Sequence, residues 1–343
     1  MTLSQYIKDI RNPHLFLGID GGQTKTLCIL GNEEGKILSI GKGRGLEHIL
    51  SPRGPEVAKL AFQEALSSCL FPYDPSSFEF ECAFLGLTGV SRPDSEEAKS
   101  FTEVAKKIIK AKRIFVDSDP SIALAGAFFG KEGIIVIGGT GSVALGFDGT
   151  RYSRCGGFGY LFGDEGGGFQ IALQAIKIAL KYEDACHPPT LLWEKIIKNS
   201  SFSSIEEMVR SYYAGKIGRD QIALFTKSVK EAAEEGDRFA QEILLDAGRE
   251  LAKLVDCVYR KLNFKGKIPT AGLGGVFNIS LVKKSFEKNL DPSLYEIKEP
   301  EFPGVIGALI RAYQLAGIPL TSSLKENLKN SALKFIGVGL THP

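Results

Sequence analysis

Three glycine-rich stretches have the residue types and spacing for anion chemistry: Asp20-Gly21-Gly22-Gln23-Thr24, Gly138-Gly139-Thr140-Gly141-Ser142 and Gly272-Leu273-Gly274-Gly275-Val276. A glycine bend leaves backbone N–H groups free to point at phosphate oxygens, and the missing Cβ lets the chain approach them closely. Asp20 closes an apolar run and opens the first loop, so its carboxylate would stand beside bound phosphates. A fixed Asp next to phosphate suggests Mg²⁺ held through water, with a turn-capping role as the alternative. Two familiar phosphate motifs are excluded. Between the first Gly and the Gly-Lys pair, 31–36 and 126–131 each have three residues where a Walker A loop needs four. Gly139-Thr140-Gly141 precedes a strand-like stretch where a dinucleotide fold needs a helix.

The patterning around these loops predicts an α/β fold built twice. In the first half, residues 15–19, 25–30 and 36–40 read as a strand meander with a glycine loop at its first bend and a turn at 32–35. A helix over 55–70, a buried strand over 79–87, a helix over 93–110 opening with Pro93, a strand over 114–116 and a helix capped by Asp119 through about 129 follow. The meander then returns as strands over 133–137, 143–147 and 151–155, with a glycine-threonine loop at the same bend and Asp148-Gly149 at the turn. Residues 165–263 become almost wholly helical, with Ile171, Ala175, Ile178 and Ala179 at three- and four-residue spacing, which marks a helical insertion in the second copy. A strand over 267–271, a helix from 278 and a helix over 306–315 complete the pattern, and the tail from 321 has no clear signal. The expected boundary is a first lobe over 1–118 and a second over 119–343.

Composition narrows the function classes. The chain has 343 residues, 43% hydrophobic and 24% charged, with a formal net charge of +2. Balanced charge offers no one-signed field for nucleic acid or an anionic membrane, so neither is expected as a partner. Six scattered cysteines lack C-x-x-C or zinc spacing and read as buried thiols in a reducing compartment. Lys8, Asp9 and Arg11 interrupt any signal-peptide core, and no run is long enough to span a bilayer, so a cytoplasmic protein is expected.

The motif string Asp20 to Thr26 resembles the phosphate-1 motif of the actin/hexokinase/Hsp70 ATPase superfamily, Gly138 to Ser142 its phosphate-2 motif, and Gly272 to Phe277 its adenosine motif. The segment Cys155-Gly-Gly-Phe-Gly-Tyr-Leu-Phe-Gly-Asp-Glu-Gly166 further resembles N-acetylglucosamine kinases within the BadF/BcrA ATPase group. The resemblance implies two RNase H-like lobes closing over a nucleotide cleft, with ATP and Mg²⁺ as cofactors. It also implies an amino sugar, N-acetylglucosamine first, phosphorylated at the 6-hydroxyl, and a homodimer by analogy. By motif matching, Gly22, Thr24 and Lys25 would hold phosphates from the first lobe, Gly139, Thr140 and Gly141 from the second, and Gly274 and Gly275 would pack on adenosine. Asp20 would serve the metal. Asp119, in Asp119-Pro-Ser-Ile-Ala123, matches the catalytic base, with Asp117 as rival. Gly157, Phe158, Gly159 and Asp164 match the sugar segment, although Asp164 could cap a helix beginning near Glu165 and Phe158 could be plain core.

One departure concerns Gly45-Leu46-Glu47-His48, where family kinases offer an Asn to the sugar. Glu47 at that place replaces an amide by an anionic acceptor, which bears on the choice of amino sugar among glucosamine, N-acetylmuramic acid, N-acetylmannosamine and glucose. His48 reads as structural or solvent-exposed. Three other functions remain. The first is an ATPase activator of a 2-hydroxyacyl-CoA dehydratase or benzoyl-CoA reductase system, which needs cluster-ligating cysteines and for which Cys155 has no obvious partner. The others are a sugar sensor without turnover and a glycosidase pairing Asp117 or Asp119 with Asp164.

Overall fold

The computed structural model describes residues 14–335. It divides into two compact units: one holds the described residues up to Lys131 and from Pro300 onward, the other is Glu132–Glu299.

In the first unit, strands β1 (Leu15–Gly21), β2 (Lys25–Asn32) and β3 (Ile37–Arg44) form an antiparallel meander, extended by β4 (Cys82–Leu87) and β5 (Ile114–Ser118) running parallel to β1. The sheet order is β3-β2-β1-β4-β5. Its central strands are near-continuous apolar runs because both faces are covered. On one face Leu17, Ile19 and Leu85 pack against Phe62 of α1 (Gly54–Leu70) and Phe101 of α2 (Glu96–Lys106). Helix α3 (Asp119–Ala127) follows β5 directly.

The second unit repeats the plan. Strands β6 (Gly133–Gly138), β7 (Ser142–Phe147) and β8 (Tyr152–Gly156) form the antiparallel meander, and β9 (Ile268–Leu273) and β10 (Tyr295–Ile297) continue it in parallel, in the order β10-β9-β6-β7-β8. Each meander turns its first bend through a three-residue loop, 22–24 in one copy and 139–141 in the other. The expected duplication is therefore present down to loop length. Between β8 and β9 the chain builds α4 (Gly168–Glu183), α5 (Leu192–Lys198), α6 (Ile205–Tyr213), α7 (Arg219–Ala223), α8 (Thr226–Glu234) and α9 (Arg238–Leu262). Asp237 starts α9 by accepting from the N–H groups of Phe239 and Ala240, and Asn263 ends it in the left-handed conformation. Leu251, Val255 and Val258 of α9 bury against Ile134, Val136 and Ala144 of the sheet. Helix α10 (Ser280–Lys288) packs on α9.

The chain then returns to the first unit. Helix α11 (Gly304–Ala316) covers the face of the first sheet opposite α1, burying Val305, Leu309 and Tyr313 against Phe16, Ile29 and Phe84. It lies so close to α3 that a Cβ on Gly307 would stand 1.8 Å from the Ile122 carbonyl oxygen. Helix α12 (Ser322–Ala332) finishes the described chain.

Several expectations change. The 1–118 and 119–343 division differs from the units found, because α3 and α11 both pack into the first. The helix expected over 93–110 is Glu96–Lys106, since Ser95 Oγ accepts from Ala98 N and so sets its start beyond Pro93. Asp119 does not cap its helix. Ser118 holds the cap position without a side-chain bond, and Asp119 is the first helical residue. The unassigned tail is helical, started by Thr321 Oγ1 accepting from Leu324 N. Only Cys28, Cys69 and Cys82 are buried; Cys155 and Cys257 are half-buried and Cys186 is exposed. Among the described residues no helix is long and apolar enough to cross a membrane.

Candidate functional site

The first unit carries the candidate carboxylates. Asp20 sits on β1 one residue before Gly21, in a strand paired on both sides, by β2 and by β4, so its position is held by two ladders. Its carboxylate lies beside Gly304, where a Cβ would stand 3.1 Å from Oδ2, at the first turn of α11. Burial and the negative charge of Asp119 push the Asp20 carboxyl up to about 6, against the pull of Lys25. Asp20 and Asp119 therefore sense one another, and Lys25 joins them. Two interacting carboxylates ask for a cation. Among the described residues no group of three or more His, Cys, Asp or Glu forms a metal cage. The residues thus fit an ion that takes most of its ligands from water and phosphate, as Mg²⁺ does.

Asp119, half-buried at the head of α3, has the rival Asp117 two residues before it. The structure separates them. Asp117 is on β5, 9% exposed, and its Oδ1 accepts from Ser118 N at 2.7 Å. Burial raises its carboxyl, while the Ser118 and Ser121 bonds and the Arg311 charge lower it. Because Asp119 opens a helix, the two carboxylates do not share the face that an extended segment would give them.

The first glycine loop is braced by Gly22 N donating to Lys25 O and Leu46 N donating to Gly22 O. Gln23 and Thr24 are left exposed at its tip. The bond from Leu46 places Glu47 next to this loop, where it is exposed and 3.8 Å from the Arg53 guanidinium. His48 is exposed, as expected.

The second unit holds a cavity of about 410 Å³ lined by Gly139 and Thr140, by Gly168 at the head of α4, by Asp220, Leu224, Thr226, Lys227 and Lys230, and by Gly275, Val276, Asn278 and Ile279. That is the size of a small-ligand site. The N–H groups of Gly168 and Phe169 bond the carbonyls of Gly139 and Thr140, and Thr226 Oγ1 bonds the Gly168 carbonyl, so loop, α4 and α8 are joined around it. Gly139 and Gly275 have open space where a Cβ would go, and Gly22 has only ordinary contact, none of them at positive φ. Their own fold does not require glycine there, and the missing side chains leave the backbone open to close approach. Gly274 is different. Its φ is +94°, and a Cβ would stand 2.5 Å from Gly138 O, so it is needed for the turn that presents Gly275. Gly141 lies outside the cavity lining, its Cα covered by the Asp164 carboxylate.

The segment expected to meet the sugar forms the connection from β8 to α4, with positive φ at Gly156, Gly157, Gly159 and Asp164. Arg154 donates to the carbonyls of Gly156 and Gly157 and lies over the Phe158 ring, which is 72% exposed and so is not core. Asp164 does not cap a helix near Glu165: α4 begins at Gly168 behind Gly167, with no side-chain cap. Its carboxylate is instead buried, 3.6 Å from Arg219.

The motifs did not point to Lys227, Lys230 or Arg219. The two lysines follow Thr226 at helical spacing, yet that reads as an ordinary solvated face until α8 is seen along the cavity. Cys257 was missed as well. It contacts Cys155, and burial together with this neighbour pushes the Cys155 thiol up to about 11.

Comparison with known proteins follows the same lines. The chain is 33% identical over 286 residues to the N-acetylmuramic acid/N-acetylglucosamine kinase of Clostridium acetobutylicum, covering 82% of this chain and 92% of that one. It is 29% identical over 274 residues to the N-acetyl-D-glucosamine kinase of Dictyostelium discoideum, covering 76% and 85%. A solved N-acetylglucosamine kinase candidate from Chromobacterium violaceum superposes with a TM-score of 0.66 at 23% identity, covering 87% of this chain and 98% of that chain, which establishes the shared fold. The profile of the BadF/BadG/BcrA/BcrD ATPase family matches residues 17–312, a span that includes every glycine loop and carboxylate described above, and the chain belongs to that family.

Proposed function

We propose that the protein is an ATP-dependent kinase of an amino sugar, transferring the γ-phosphoryl group to the 6-hydroxyl of N-acetylglucosamine. The observation that carries this reading is the cavity of the second unit, where Gly139 and Gly275 leave open space into which a ligand can come close to the backbone. The names of relatives similar over most of their length support a sugar acceptor. Gly139 and Thr140 form the loop beside which the phosphates lie, with the Thr140 hydroxyl as a donor to them, and Gly275 with Ile279 lies against the nucleoside. Asp20, with water, would hold Mg²⁺, which screens charge on the β- and γ-phosphates when bound. Asp119 accepts the proton of the sugar hydroxyl as its oxygen bonds to phosphorus and the bond to the β-phosphate oxygen breaks. Phe158, Gly157, Gly159 and Asp164 form the sugar-binding segment of the second unit, and Glu47 beside the first glycine loop is the first unit's candidate for the sugar.

The test is Mg²⁺-ATP turnover across N-acetylglucosamine, N-acetylmuramic acid, glucosamine, N-acetylmannosamine and glucose, reading ADP release with and without each sugar. Sugar-dependent release, greatest with N-acetylglucosamine, is the expected result. Sugar-independent hydrolysis by a brown, iron-containing protein would move the activator reading forward.

A further inference from the structure

Arg219 is assigned by none of the motifs, yet it stands at a junction. As the first residue of α7, it sits directly before Asp220, and Asp220, Ala223 and Leu224 line the nucleotide cavity. Its guanidinium points the other way, into the sugar segment. Nη1 lies 3.6 Å from Asp164 Oδ2, and the group stacks over the Tyr160 ring at 5.6 Å. Tyr160 packs edge-on against Phe169 of α4 at 5.1 Å, and its carbonyl accepts from Gln170 Nε2.

Asp164 needs such a partner. Its side chain is 7% exposed, which makes an uncompensated carboxylate costly. Its φ of 63° is a conformation that non-glycine residues adopt only when their surroundings hold them there. On its other side it covers Gly141 of the second phosphate loop. Arg219 thus touches two members of the sugar segment from an element whose next turn forms the nucleotide cavity wall.

We propose that Arg219 is a positioning residue that ties the 157–164 segment to the wall of the nucleotide cavity, so that nucleotide in the cavity tightens the hold on the sugar. This rests on the kinase reading and adds a coupling between its two substrates. By linkage, the same factor must appear in both directions.

The experiment is calorimetric titration of N-acetylglucosamine into the intact protein, with and without saturating Mg²⁺-ADP, for wild type, Arg219→Gln and Arg219→Lys. The wild type is expected to bind the sugar more tightly when Mg²⁺-ADP is present. Arg219→Gln should weaken sugar binding about tenfold or more, as loss of a charge-assisted contact does. Its ratio between the two conditions should fall towards one, with Mg²⁺-ADP affinity within about twofold of wild type. Arg219→Lys, which keeps charge but not the stacked plane, should recover part of both effects. A ratio of one in the wild type, an unchanged ratio in Arg219→Gln, or an equal loss of sugar and nucleotide affinity overturns the proposal. Should Arg219→Gln fail to fold, the same readings are taken on Arg219→Lys, and wild-type values there overturn it. A wild type that binds Mg²⁺-ADP but none of the amino sugars is a failure of the kinase reading itself, seen before any variant is made.

Discussion

At the scale of single residues, the roles proposed for Asp119 and Asp20 can be tested separately. Asp119→Asn removes the proton acceptor while keeping size and shape, so turnover should fall about 10²–10⁴-fold with nucleotide affinity little changed. Single-turnover kinetics beside nucleotide titration checks this, and parallel loss of both would reassign Asp119 to binding. Asp20 makes a stability prediction for the protein without nucleotide or metal. A carboxyl whose folded value lies above its unfolded one stabilises the fold while protonated; here that contribution is complete below about 3.8 and lost as pH rises through about 6. Asp20→Asn should therefore raise the melting temperature clearly at pH 8 and less at pH 5, where most of the wild-type carboxyl already carries its proton. An equal gain at both pH values would show that the Asp20 charge is not strained by burial and by Asp119.

Loops and helices carry a second kind of prediction, in which neighbouring glycines behave differently. Gly139→Ala places a methyl group in open space at ordinary φ, so folding should be nearly unchanged while nucleotide affinity falls. Gly274→Ala puts a Cβ at φ +94° and 2.5 Å from a backbone oxygen, which should cost on the order of 1–3 kcal/mol of stability. Denaturant melts paired with nucleotide titrations distinguish the two, and a stability loss at Gly139 would mean that its place is structural. Along α8, Lys227 and Lys230 line the cavity with weak partners, each 3.8 Å from the Glu four residues on. Pairs of that kind contribute little and leave the ammonium groups available. Replacing both with Gln should raise the KM for ATP several-fold, with a reduced salt dependence and an unchanged kcat.

For the whole molecule, the return of the chain matters most. Helix α11 buries Val305, Leu309 and Tyr313 on a face of the first sheet, and the Tyr313 hydroxyl bonds the Asn32 carbonyl across 281 residues of sequence. A chain cut before Pro300 would leave Phe16, Ile29 and Phe84 exposed, an apolar loss larger than the net stability of most domains. It should show no cooperative melting of the first unit by circular dichroism, whereas the full chain should melt cooperatively; cooperative melting of the cut chain would show that α11 is dispensable.

The sequence by itself determined what repeats locally. The two meanders, their three-residue loops, the helical insertion and the order of the phosphate motifs follow from short-range patterning: apolar runs broken by glycine, and three- and four-residue spacing in helices. Such signals lie within a few residues of where they act, so they survive without any knowledge of contacts. Thr321, a helix cap read as tail, shows that even a local signal goes unseen without a strong periodic run behind it. Only the tertiary structure decided which unit the last helices join, that the charge of Asp119 bears on the buried Asp20, and that Asp164 is paired with Arg219 instead of capping a helix. Each of those outcomes depends on burial and charge between residues far apart in sequence, where spacing carries no information and packing sets which groups meet.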